Sequence, residues 1–146
     1  MDIQDFIRLP HRFMWGGDGK AHPSDPMGRI YNDCTTFCAS WAAALTGVDP
    51  ASALRGTYRT AEEAHAIVEA AGGHIAFMTS HLVPLGFSRV QNPVDGDIGC
   101  VVAPAGVEGD FAEIGAVRFG PLWVSLGPAG LVGKRLNTLV AWRFPA

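Results

Sequence analysis

The hydrophobic period of this chain changes once, near Val94, and that change constrains the fold more than any other feature. Upstream, apolar residues recur at steps of three and four. Downstream, short β-rich runs are separated by glycine and proline. The clearest helical pattern is Cys34, Phe37, Cys38, Trp41 and Leu45, with Asp33 as N-cap and Gly47 as stop, which predicts a helix from Cys34 to about Thr46. Thr60 and Glu63 form a capping box ahead of a second helix, with Ala64, Ile67, Val68 and Ala71 as its buried stripe and Gly72-Gly73 as its end. Ile75, Met78 and Leu82 mark a shorter helix closed by Pro84, and residues 2–8 form an amphipathic start stopped at Pro10. After the Asp95-Gly96 turn, strands are expected over 98–103, 114–119, 122–126, 131–132 and 139–144. Helices first and an antiparallel meander second predict an α+β fold, with the helices packed on a sheet built from residues after Val94. Residues 18–29, rich in glycine, proline and polar side chains, read as an exposed loop.

Composition narrows the function classes. At 146 residues with 48% hydrophobic and 17% charged, the chain supports one domain, 1–146, with a packed core and is not a disordered tail. Its formal charge is −3, and its eleven lysines and arginines are scattered from Arg8 to Arg143, so no basic stripe tracks a nucleic acid. No apolar run reaches the roughly 18 residues that span a bilayer, and the acidic start is unlike a secretory leader. Three cysteines, Cys34, Cys38 and Cys100, cannot form a complete disulfide framework. No CxxC or HxxxH pair supplies zinc ligands, so neither a metal nor another cofactor is implied.

Cys34 is the candidate for chemistry. It stands at the first position of a helix, where unpaired N–H groups and the helix dipole favour a thiolate; the plain alternative is a small core residue. In order along the chain, Trp15-Gly16-Gly17, Asp33-Cys34-Thr35-Thr36-Phe37 at a helix start and Gly96-Asp97-Ile98 at a strand start resemble the NlpC-type cysteine peptidases. The closer resemblance is to a branch found among tail genes of siphophages, prophages and gene transfer agents. It rests on Asp33-Cys34 and Phe37, Thr46 to Pro50, Arg55-Gly56-Thr57-Tyr58, Gly72-Gly73, Gly96-Asp97 and Ala141-Trp142-Arg143.

The resemblance implies a papain-like core, with Cys34 at the nucleophile position and a histidine on the strand after Gly96-Asp97. No histidine follows His81, and the matching position, within a residue or two, is Glu113. A carboxylate about 4 Å from the sulfur would oppose the thiolate by roughly 4 kcal/mol at an effective dielectric near 20, more than the helix dipole gives back. The expected function is therefore a structural component of a phage-type tail tip or baseplate with a degenerate active site. Such a protein would be made in the bacterial cytoplasm and held in the virion by other tail proteins, such as the hub or distal tail. The alternatives are an active peptidase or amidase cutting peptidoglycan peptides during DNA entry, and an unrelated cytosolic binding module.

Most other residues have a plain structural reading. Trp15 either lines a cleft near Cys34 or anchors the loop, and Asp33 is the cap. His65, His74 and His81 read as helix residues. His11 and His22 flank or sit in the loop, from which His22 could swing toward Cys34. Cys38, Cys100 and Trp41 read as core, Trp123 and Trp142 pack on the sheet, and Arg143 makes a rim contact or none.

Overall fold

The structure, a computed structural model, describes residues 1–104 and 111–145. Its elements in chain order are α1 (Ile3–Ile7), β1 (His11–Phe13), β2 (Ile30–Asn32), α2 (Cys34–Thr46), α3 (Ala61–Ala70), α4 (His74–Leu82), a 3-10 turn (Val83–Leu85), β3 (Ser88–Val90), β4 (Ile98–Pro104), β5 (Phe111–Phe119), β6 (Leu122–Gly127), β7 (Gly130–Lys134) and β8 (Asn137–Arg143). The protein is α+β, with an antiparallel sheet in its C-terminal half in the order β3-β8-β4-β5-β6-β7.

α2 organises the fold. Asp33 Oδ1 accepts the Thr35 and Thr36 N–H groups at 2.9 Å each, and Thr36 Oγ1 accepts the Asp33 N–H at 2.9 Å. This reciprocal cap satisfies donors that a helix start otherwise leaves open. Gly47 closes α2 in the left-handed region at φ 81°, where a side chain would be strained. Between those ends α2 buries Phe37, Cys38, Trp41 and Ala42 against the sheet, and the Trp41 indole donates to the Gly96 carbonyl at 2.7 Å. Burying Phe37 and Trp41 contributes about 1.5–3 kcal/mol each. β5 crosses the first turns of α2 at Gly115, where a Cβ would lie 3.0 Å from the Cys38 sulfur and 3.6 Å from the Cys34 carbonyl oxygen.

Three features depart from the sequence reading. The sheet begins before Val94: β3 at Ser88–Val90 pairs with the end of β8, through Arg89 and Trp142 among others. β1 and β2 form a separate parallel pair, with His11 opposite Ile30, that delivers the chain into α2. α3 buries none of its residues, and its stripe of Ala64, Ile67 and Val68 is only half-covered while Ala71 is exposed, because that face borders an open cleft. Trp142 lies in the α2-side core. Trp123 packs in a second cluster with Val101, Ala116 and Ala141, its ring over Gly99, where a Cβ would come within 2.5 Å of it.

Candidate functional site

The first turn of α2 is fixed by a buried polar frame. Asp33, 1% exposed, uses its second oxygen Oδ2 to accept the Gly16 N–H at 3.0 Å and the Tyr58 hydroxyl. One carboxylate thus ties the Trp15-Gly16 segment and the Tyr58 segment to the cap. Beside it, Arg55 donates from Nη1 to the Gly17 carbonyl and Asn32 Oδ1, each at 2.8 Å, and from Nη2 to Ser40 Oγ at 3.1 Å. Its Nε donates to Asp49 Oδ2 at 2.7 Å. Such a forked guanidinium suits four differently placed acceptors, which a lysine could not serve. Arg55 and Tyr58 act here as positioning residues. The sequence marked them only through the family resemblance.

Cys34 opens onto a cleft of about 450 Å³ between α2, α3, the start of α4 and β5. Trp15, Tyr58, Glu62, His65, His74 and Glu113 line it with Cys34, together with the apolar stripe of α3. The Cys34 thiol is half-buried, and burial first and the Asp33 carboxylate second push it up to about 11. At that value the thiol is protonated at neutral pH. The adjoining Cys38 thiol is pushed well above the ordinary thiol value, chiefly by burial.

Glu113 shares the cleft with Cys34, but its carboxylate acts on another sulfur. The β4–β5 register pairs Cys100 with Gly115 and Val102 with Glu113, so Glu113 lies diagonal to Cys100 on one face of the sheet. The Cys100 thiol donates to Glu113 Oε1 at 3.7 Å, and burial with that carboxylate raises it to about 12. The repulsion expected between Glu113 and Cys34 is thus replaced by that of Asp33.

The histidines fall in different places. His74, at the first position of α4, borders the cleft. Its Nε2 is buried without a partner among the described residues, and burial lowers its basicity against the opposing pull of Glu113. His65 is exposed at the cleft wall and pairs with Glu69 at 3.1 Å. His81 donates from Nδ1 to the Phe77 carbonyl at 2.8 Å. His22 is held by Asp18 at 2.6 Å and lines a neighbouring groove with Trp15 and Tyr58, not the Cys34 cleft. His11 is buried between Phe6 and Phe37, with its Nε2 2.6 Å from the Phe6 carbonyl oxygen, and is no part of the loop.

Trp15 lines the cleft, and its ring stands edge-on to Phe13. Asp33 is cap and frame rather than cleft wall. Arg143 makes more than a rim contact: its Nε and Nη2 each donate to the buried Asp97 carboxylate at 2.9 Å, while Asp97 Oδ2 also accepts the Val94 N–H at 2.9 Å. That fork holds the Gly96-Asp97 turn on which Trp41 depends. Glu62 went unmarked in the sequence, since an exposed glutamate in a first helical turn has an ordinary explanation in the helix dipole.

An α2 start fixed on an antiparallel sheet, with a thiol facing a cleft, defines the class of α+β protein to which this chain conforms. A model of a family described as a domain of unknown function, DUF6950, matches residues 19–144, and the chain belongs to that family. Neither a curated protein nor a solved structure matches it. Among the described residues, no helix is long and apolar enough to cross a membrane.

Proposed function

We propose that this chain is a papain-like, NlpC-type domain with a degenerate active site, built as a structural component into the tail tip or baseplate of a phage-type particle. The composition of the cleft carries this reading. Cys34 stands at the helix start that suits a nucleophile, while the β5 position where the resemblance implies a histidine holds Glu113. A thiol at about 11 leaves roughly one molecule in ten thousand as thiolate at pH 7. Loss of a catalytic base costs several orders of magnitude in rate. In this reading the domain is held in the virion by hub or distal tail proteins and engages neither nucleic acid nor membrane. Mass spectrometry of purified particles tests it: the chain should be present in stoichiometric amounts, and its confinement to the soluble lysate would refute the reading.

One observation favours a second reading, an active hydrolase of peptidoglycan peptides. His74 borders the same cleft as Cys34 and keeps a ring nitrogen without a partner among the described residues. A general base can act on a thiol that stays protonated in the resting state. Release of peptides from peptidoglycan by the wild type, abolished in both Cys34→Ala and His74→Ala, would establish this reading in place of the first.

A further inference from the structure

The charge of the cleft is one-sided. Two carboxylates line it, Glu62 on α3 and Glu113 on β5. Both are exposed, and neither has an ion-pair partner among the described residues. No lysine or arginine lines it among the described residues. Of the two imidazoles present, His65 is engaged with Glu69, and burial lowers the basicity of His74. The remaining wall is apolar or aromatic, with Ile67, Val68, Ile114 and Trp15 prominent. A hydrophobic cavity of several hundred cubic ångströms with a few convergent polar groups is the usual form of a ligand site. Here the two unpaired carboxylates have the same sign. The indole of Trp15 adds to this, because an aromatic face attracts cations.

We propose that the cleft is a binding site for an aliphatic cation: the side chain of a lysine or arginine carried on an apolar protein segment. The methylene stem packs along the α3 stripe while the charged head meets Glu62 and Glu113. The replacement of an expected imidazole by Glu113 then has a consequence for recognition, since it turns a neutral or cationic wall into an anionic one. This inference rests on the cleft alone. Its failure would leave the structural-tail reading standing, because it concerns what the cleft binds rather than where the chain resides.

The test uses the full chain and three tripeptides of one shape, acetyl-Leu-Lys-Leu-amide, acetyl-Leu-Gln-Leu-amide and acetyl-Leu-Glu-Leu-amide. Binding is followed by NMR at the Trp15 indole and the Ile67 and Ile114 methyls. The lysine peptide should bind about tenfold tighter than the glutamate peptide, the sum of two partly exposed charge contacts. That preference should shrink as salt is raised, and should fall to within about twofold in the Glu62→Gln/Glu113→Gln double variant. Both side chains are exposed, so the double variant keeps its fold, which a thermal melt verifies. Equal binding of the three peptides, a preference for glutamate, shifts confined to residues outside the cleft, or no shift at millimolar peptide would each overturn the proposal.

Discussion

Replacing Asp33 probes the frame that holds Cys34. Asp33→Ala removes acceptors for four donors: the Thr35 and Thr36 N–H groups, the Gly16 N–H and the Tyr58 hydroxyl. The lost cap costs about 1 kcal/mol, and each of the two buried donors left stranded about 1–3 kcal/mol. The total, about 3–7 kcal/mol, is a large share of the 5–15 kcal/mol typical of a whole domain. Asp33→Asn keeps one carbonyl oxygen for the cap but turns an NH₂ toward Gly16. The Tyr58 hydroxyl can rotate to accept from it; the Gly16 N–H cannot. The expected loss is about 1–3 kcal/mol, that of one stranded donor. The same asparagine removes the carboxylate that helps raise the Cys34 thiol, so the Cys34 titration should move down. Urea unfolding gives the stabilities, and the pH dependence of alkylation gives the thiol. Alanine and asparagine variants of equal stability, or an unmoved Cys34 titration, would refute this account of the frame.

Gly99→Ala should destabilise by about 1–3 kcal/mol in chemical unfolding, because its Cβ would meet the buried Trp123 ring at 2.5 Å. Arg55→Ala should cost about 3 kcal/mol or more and loosen the 16–19 segment, read by hydrogen exchange, since it strands Asp49, Asn32 and the Gly17 carbonyl. Thiols ionise near 9 when unfolded, whereas Cys34 and Cys100 hold their protons to about 11 and about 12 in the fold. The unfolded chain therefore binds fewer protons across that window, so stability is full below pH 9 and falls as pH rises toward 11 to 12, seen as a dropping melting temperature. Glu113→His should bring the Cys100 thiol down toward its ordinary value, read by its ultraviolet thiolate absorbance, because that carboxylate and its hydrogen bond are both removed.

How far the sequence reached depended on whether a feature was local. α2 and both its ends are legible because Asp33, the apolar spacing and Gly47 lie within fifteen residues and act on the helix they belong to. The strands after Gly96 were legible for the same reason. The stripe of α3 was seen but misread: amphipathicity shows that a face avoids water, not whether a core or a cleft covers it. β1 and β2 escaped notice because three-residue strands carry no period, and their pairing spans the long loop. The meeting of Cys34, His74, Glu62 and Glu113 was beyond local reading, since four separate elements supply them. Cys34 was found by its helix position. The contact of Glu113 with the Cys100 thiol is not legible locally, because the β4–β5 register that brings them together is a long-range property.

In the proposed reading Cys34 stands at a helix start that suits a nucleophile but lacks the activation a nucleophile needs. The most direct measurement is its iodoacetamide alkylation rate from pH 6 to 12, with the modified peptide identified by mass spectrometry. The account predicts slow reaction at pH 7 and a rate that keeps climbing to a midpoint near 11. A rate already on its plateau below pH 8, falling when His74 is replaced by alanine, would contradict it and show a thiol activated by the imidazole across the cleft.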